Sequence, residues 1–195
     1  MKSVLIAAAM SLFFISSSAT AADSGIYLGA GFASGKLSAC DNTTSSCNTF
    51  TANAQDSGHL RLIGGYDFNK YFGIEAGLAE MGTYKVQNTA LVTVGTVKAS
   101  ALTLAAKGGY AFQSGFSVFG KLGLASVRTK YTADPGWTFT GNPDQNSTGV
   151  VFGFGGQYNF NRTLGIRLNE EIIVLKDDNY TGVVGGVNLL AILKF

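Results

Sequence analysis

Histidine, cysteine, proline and charge are all scarce in this chain of 195 residues. One histidine, His59, and two cysteines, Cys40 and Cys47, are too few for a structural zinc site. No motif asks for another metal or a cofactor. Charged residues make up 13% of the chain, with 14 basic against 12 acidic, so the concentrated basic face of a nucleic-acid binder is absent. Two prolines against 26 glycines exclude a collagen or proline-rich linker. Beyond the first few residues no apolar stretch reaches the roughly 20 residues of a transmembrane helix. Yet 46% of the residues are hydrophobic, which excludes disorder, and mean hydropathy is +0.21. Fourteen Phe and eight Tyr would bury a large area in any core, so something other than a water-soluble core is expected to receive them.

Residues 1–22 read as a secretory signal peptide: Lys2, an apolar run from Val4 to Ile15, then a polar stretch ending in Ala19-Thr20-Ala21. Cleavage is expected after Ala21 or Ala22, leaving residues 23–195 as one domain. The mature chain then reaches an oxidising compartment, where Cys40 and Cys47 suit a small loop disulfide; the alternative is two reduced thiols.

Apolar residues recur at every second position, which means strands. The rows are Ile26 to Phe32, Leu60 to Phe68, Phe72 to Leu78, Leu102 to Phe112, Phe116 to Leu124, Val150 to Phe160, Leu164 to Leu168, and Val187 to Phe195. Eight strands of about 9 to 12 residues have the length that tilted strands need to cross hydrocarbon. Between the apolar positions stand Gly, Ala and polar or charged residues, among them Gln157. The rings decide which face is which. Tyr66, Phe68, Phe72, Tyr110, Phe112, Phe116, Tyr158, Phe160 and Phe195 all stand beside short turns or at the terminus, as a membrane interface favours, so the apolar row faces lipid.

Connections alternate between short (Asn69-Lys70, Gln113-Ser114-Gly115, Asn161-Arg162-Thr163) and long, roughly Ser34 to Asp56, Met81 to Val97, Thr129 to Thr148 and Lys176 to Gly182. The expected fold is an all-β, eight-stranded antiparallel up-and-down transmembrane β-barrel, both termini on the short-turn side.

The segments Ile26-Tyr27-Leu28-Gly29-Ala30-Gly31-Phe32, Gly64-Gly65-Tyr66-Asp67-Phe68, Gly73-Ile74-Glu75-Ala76-Gly77 and Lys121-Leu122-Gly123, with terminal Phe195, carry a resemblance. Over the whole mature chain the sequence resembles the small eight-stranded outer-membrane barrels of Gram-negative bacteria, the OmpA-like transmembrane and outer-membrane beta-barrel domain group, often counted with the porin family. The resemblance implies an integral outer-membrane location with both termini periplasmic. It also implies that Phe195 belongs to the signal read by the outer-membrane assembly machinery. The peptidoglycan-binding domain that often follows such barrels is missing, which removes cell-wall anchoring from the expectation. The family's Arg-x-Glu pair on the seventh strand is altered to Arg167-Leu168-Asn169-Glu170-Glu171, leaving the acidic partner of Arg167 open.

An eight-stranded barrel has an interior just wide enough for side chains to fill. Arg61, Glu75, Lys107, Lys121, Arg167 and Glu171 fall on the inward row, and Lys107 stands opposite Lys121 when Phe112 is set opposite Phe116. They read as a buried ionic network with Glu75 and Glu171 as its acids, or alternatively as the lining of a narrow gated pore. Enzymes that modify lipid A share this architecture, but Ser57 and His59 two apart are a weak nucleophile and base, and a solvated rim histidine is the simpler expectation. The same register puts Lys98 opposite Lys130 with Arg128 diagonal, on the outward row at the long-loop rim. Such cations either meet lipopolysaccharide phosphates or are solvated. The third long loop, with Trp137 and Phe139, is a candidate contact for an extracellular ligand. The expected protein is a barrel of structural or surface-interaction role, without catalysis, cofactor, metal or nucleic acid.

Overall fold

The computed structural model describes the backbone of residues 24–41, 49–53, 59–87, 93–135, 144–176 and 180–195, and the side chains of 24–35, 59–85, 95–135, 144–175 and 182–195. The signal peptide, Ser57, Trp137, Phe139 and the proposed Cys40 and Cys47 bond lie outside the described backbone or side chains.

Ten strands follow in order: β1 Gly25–Ala33, β2 Lys36–Asp41, β3 Thr49–Asn53, β4 His59–Asp67, β5 Phe72–Gln87, β6 Thr93–Ala111, β7 Phe116–Ala133, β8 Asp144–Asn159, β9 Leu164–Lys176 and β10 Tyr180–Lys194. β1, β4 and then β5 to β10 pair antiparallel in sequence, and β10 returns to β1, closing a cylinder of eight staves. The β2–β3 hairpin pairs with the upper part of β10 and so carries the wall on above β1. From Tyr27, the paired positions run through Gly65, Glu75, Ala105, Gly123, Val151, Ile173 and Val184 and come back at Leu37, ten residues further along the first stave. That stagger is what tilts the strands of a closed sheet.

The burial pattern is inside-out for a water-soluble fold. Leu124 is 69% exposed and Leu104 61%, whereas Arg167 is 1% exposed and Glu75 3%. Large apolar side chains form an outer belt, while the inside holds charged and polar side chains together with a smaller set of apolar ones such as Ile173, Leu190 and Ile192. The rings sit at the short-turn end, with Tyr66–Phe68, Tyr110–Phe112 and Tyr158–Phe160 each packed edge-to-face.

Several strands are longer than the apolar rows predict. β6 begins at Thr93 rather than Leu102, β7 runs to Ala133 rather than Leu124, and β5 to Gln87 rather than Leu78. The long connections shrink accordingly, and the first contains β2 and β3. Above the belt the outward residues become Lys98, Ser100, Ser126 and Arg128. The period of two continues there in polar residues, and the backbone ladder does not depend on which side chains it carries.

One irregularity reverses a face. Gly82 has φ of +100° and the β5 register shifts between Glu80 and Gly82. Glycine enters this left-handed region without the clash of a Cβ, and the extra residue makes a bulge. Below it, Leu78 and Glu80 point outward; above it Tyr84 is buried and Lys85 exposed.

Candidate functional site

The two outer short turns of the chain share a pattern. Tyr66-Asp67-Phe68-Asn69-Lys70 and Gly73-Ile74-Glu75 are matched by Tyr158-Asn159-Phe160-Asn161-Arg162 and Gly165-Ile166-Arg167. Asn69 Oδ1 accepts from the N–H groups of Tyr71 (2.8 Å) and Phe72 (2.9 Å); Asn161 Oδ1 accepts from those of Thr163 (2.8 Å) and Leu164 (2.8 Å). β5 and β9 are four staves apart, on opposite walls. Matching positions of the two hairpins therefore face each other, and Glu75 meets Arg167 across the lumen.

Around that pair the network is continuous. Glu75 Oε2 accepts from Arg167 Nη1 and from the Tyr27 hydroxyl (2.8 Å), and Oε1 accepts from Lys121 Nζ (2.8 Å). Lys121 also pairs with Glu171 Oε2, and Arg61 Nη2 donates to both oxygens of Glu171 at 2.6 and 2.8 Å. Arg167 Nε and Nη2 donate to Gln157 Oε1 at 2.9 and 2.8 Å. Its guanidinium lies between the rings of Tyr27 (5.0 Å) and Phe119 (4.8 Å). Glycine makes the room: a Cβ on Gly77 would lie 2.7 Å from Arg61 Nη2, and one on Gly153 2.7 Å from Lys121 Cε.

Five of the six expected lumen residues thus join directly. Lys107 is the correction. It stands opposite Lys121 as the register requires, but it pairs with Asp67 Oδ1 at 2.6 Å and lies 4.3 Å from the Tyr27 ring centre. Lys121 already serves both glutamates, so the second lysine turns toward the short-turn mouth, where Asp67 supplies an acid that counting only Glu75 and Glu171 left out. Arg167 takes its acid from the opposite wall rather than from its own strand. Tyr27 was also missed, because the alternation that counts apolar rows leaves its parity among glycines.

Above the ionic layer Ala79, Ala101, Ala105, Ala125, Val127, Val151, Ile173, Leu175 and Val184 form a buried apolar cluster inside the cylinder. Between the two layers a cavity of about 30 Å³ is lined in part by Ser34, Arg61, Glu171 and Asn188. That volume holds a water or two and no larger solute.

His59 is a second correction. It is 8% exposed rather than solvated, because it occupies the inward row above Arg61 and Ile63. At the rim, Lys98 and Lys130 are opposite each other as expected, and both are exposed. Arg128 Nη2 lies 3.1 Å from Asp144 Oδ2, and Asp144 is also opposite Lys130. This acid, absent from the sequence argument, offsets part of the repulsion. The Gly82 bulge adds a fourth outward cation, Lys85, diagonal to Lys98. Phe195, half exposed at the short-turn end, donates its N–H to the Ile26 carbonyl at 2.9 Å.

The outer membrane protein beta-barrel domain model matches residues 5–189. The chain belongs to this family. It is accordingly an integral outer-membrane barrel. Solved barrels share its fold at low identity. OprG of Pseudomonas aeruginosa is 15% identical with a TM-score of 0.65, covering 88% of this chain and 96% of its own. The attachment invasion locus protein Ail of Yersinia pestis, solved with the heparin analogue sucrose octasulfate, is 16% identical with a TM-score of 0.53, covering 88% and 99%. Outer membrane protein W of E. coli is 17% identical with a TM-score of 0.52, covering 90% and 100%. Comparison with curated protein sequences finds no match.

Proposed function

We propose that this outer-membrane barrel is a plugged scaffold that acts through its outer surface, with no catalytic, cofactor or metal role. The observation that carries the reading is the unbroken chain Arg61–Glu171–Lys121–Glu75–Arg167 across the lumen, with the apolar cluster above it. A solute would have to part several buried, mutually paired charges and then cross an apolar constriction. In this reading the short turns and both termini are periplasmic, Cys40 and Cys47 are bonded in the first outer loop, and the loops meet an extracellular ligand. Phe195 serves recognition by the assembly machinery.

The outer rim supplies the partner chemistry. Lys85, Lys98, Arg128 and Lys130 form an array of four outward cations, against which the described residues of the same wall set two outward acids, Asp144 and Glu80, and lipopolysaccharide phosphates lie at that depth. Ail, of the same fold, is described with a polysulfated sugar bound; the rim cations are suited to the same charge class.

Planar-bilayer recording of purified protein tests the plug, with insertion verified by heat-modifiable gel mobility. The expected result is silence. Long-lived, reproducible openings would make the lumen the narrow gated pore instead.

A further inference from the structure

On β9 the outward row reads Leu164, Ile166, Leu168, Glu170, Ile172, Val174. Glu170 is exposed, three apolar positions above the short-turn end and two below the upper limit of the row. Its cross-strand neighbours are Phe154 on β8 and Val187 on β10, themselves 61% and 47% exposed. Glu170 therefore stands within the lipid-facing belt, and among the described residues its side chain has no hydrogen bond or ion pair. An unpartnered ionisable group at such depth is costly and marks a place where something else completes the site.

The barrel itself cannot complete it. Closure leaves no sheet edge on the wall around β9 to offer backbone donors, and the flanking side chains are hydrocarbon. Among the described side chains, outward cations stand at the long-loop rim (Lys85, Lys98, Arg128, Lys130) or in the short turns (Lys70, Arg162), and the belt between carries none.

We propose that Glu170 marks a dimer interface with a second copy of this chain. Copies inserted in one orientation can be related by a two-fold axis only along the membrane normal, and such an axis brings each residue near it against its own counterpart at the same depth. Glu170 then meets Glu170. A neutral carboxyl both donates and accepts, so two of them in that form pair each O–H with the other's carbonyl oxygen, a self-complementary match without any foreign partner. The wall beside it is low: Gly156, opposite Leu168, and Gly185, opposite Ile172, carry no side chain of their own, with the Phe116 ring lying against the first and Ile172 against the second.

Cross-linking in outer membranes tests this, using the full chain with Cys40→Ser and Cys47→Ser. Glu170→Cys should give a disulfide-linked dimer on mild oxidation, and Ala76→Cys, on the opposite wall of β5, should not. Fluorescence energy transfer between labelled copies in liposomes supplies the second measurement. Glu170→Leu should weaken dimerisation about tenfold, while Glu170→Gln, which keeps a donor and an acceptor, should retain most of it. Both variants should stay heat-modifiable, because the Glu170 side chain has no hydrogen bond or ion pair within the described barrel. Monomeric wild type, equal cross-linking at Ala76→Cys, cross-linking of Glu170→Cys to another protein only, or undiminished dimerisation of Glu170→Leu would each overturn the proposal.

Discussion

Replacing Glu75 by Gln keeps the shape of the side chain and removes its charge, which isolates what the lumen network contributes. Glu75 is 3% exposed and takes hydrogen bonds from Lys121, Arg167 and Tyr27. In the variant Lys121 retains Glu171, but Arg167, 1% exposed, is left with the neutral amide of Gln157 and two ring faces. Leaving a buried charge without its partner costs about 3–5 kcal/mol. The measurement is urea unfolding of barrel refolded into phospholipid vesicles, followed by gel mobility and intrinsic fluorescence. A second substitution tests the mechanism. Lys121→Met in the Glu75→Gln background removes one of the cations the acid had held, so the double variant should lose less than the two single losses combined, by about 1–3 kcal/mol. A loss under about 1 kcal/mol for Glu75→Gln, with additive single effects, would falsify the view that these charges act as one buried unit.

Changing Lys85, Lys98, Arg128 and Lys130 together to Gln should lower the melting temperature only in membranes that contain lipopolysaccharide; equal melting of variant and wild type there rules the rim site out. Deleting Phe195 removes a side chain whose burial is worth about 1.5–3 kcal/mol at most, so it should slow insertion while leaving the folded barrel almost as stable. Wild-type amounts of heat-modifiable protein in the membrane after the deletion would count against an assembly role.

The parts of this fold that could be read from the chain are those where one side-chain class repeats at a fixed interval. Leu102, Leu104 and Ala106 announce a lipid-facing row, and pinning Phe112 opposite Phe116 carries the register intact from Lys107–Lys121 to Lys98–Lys130. The alternation carries no such information where the interval breaks or where the residues stop being apolar. Met81-Gly82 inserts one residue, so every parity above it in β5 is inverted and Lys85 cannot be assigned a face by counting from Ile74. The polar upper halves of β6 and β7 look like loops in the sequence because backbone pairing there continues under side chains that are no longer apolar.

Contacts across the lumen are a different problem, because pairing registers relate neighbouring staves and say nothing directly about opposite ones. Here the chain does hold the missing information, in its repeat. The turn pattern at Tyr66 to Glu75 returns at Tyr158 to Arg167, 92 residues later, and the two hairpins occupy opposite walls. An acid in one copy and a guanidinium at the same place in the other must then approach the axis at similar height, which identifies Glu75 as the acid for Arg167 when the local Arg-x-Glu spacing does not. The same comparison sets Glu170 opposite Leu78 in the repeat, a glutamate against the leucine that the outward row calls for. The inward charges of the two hairpins answer one another, whereas Glu170 has no counterpart within the barrel, which is why its partner is sought outside it.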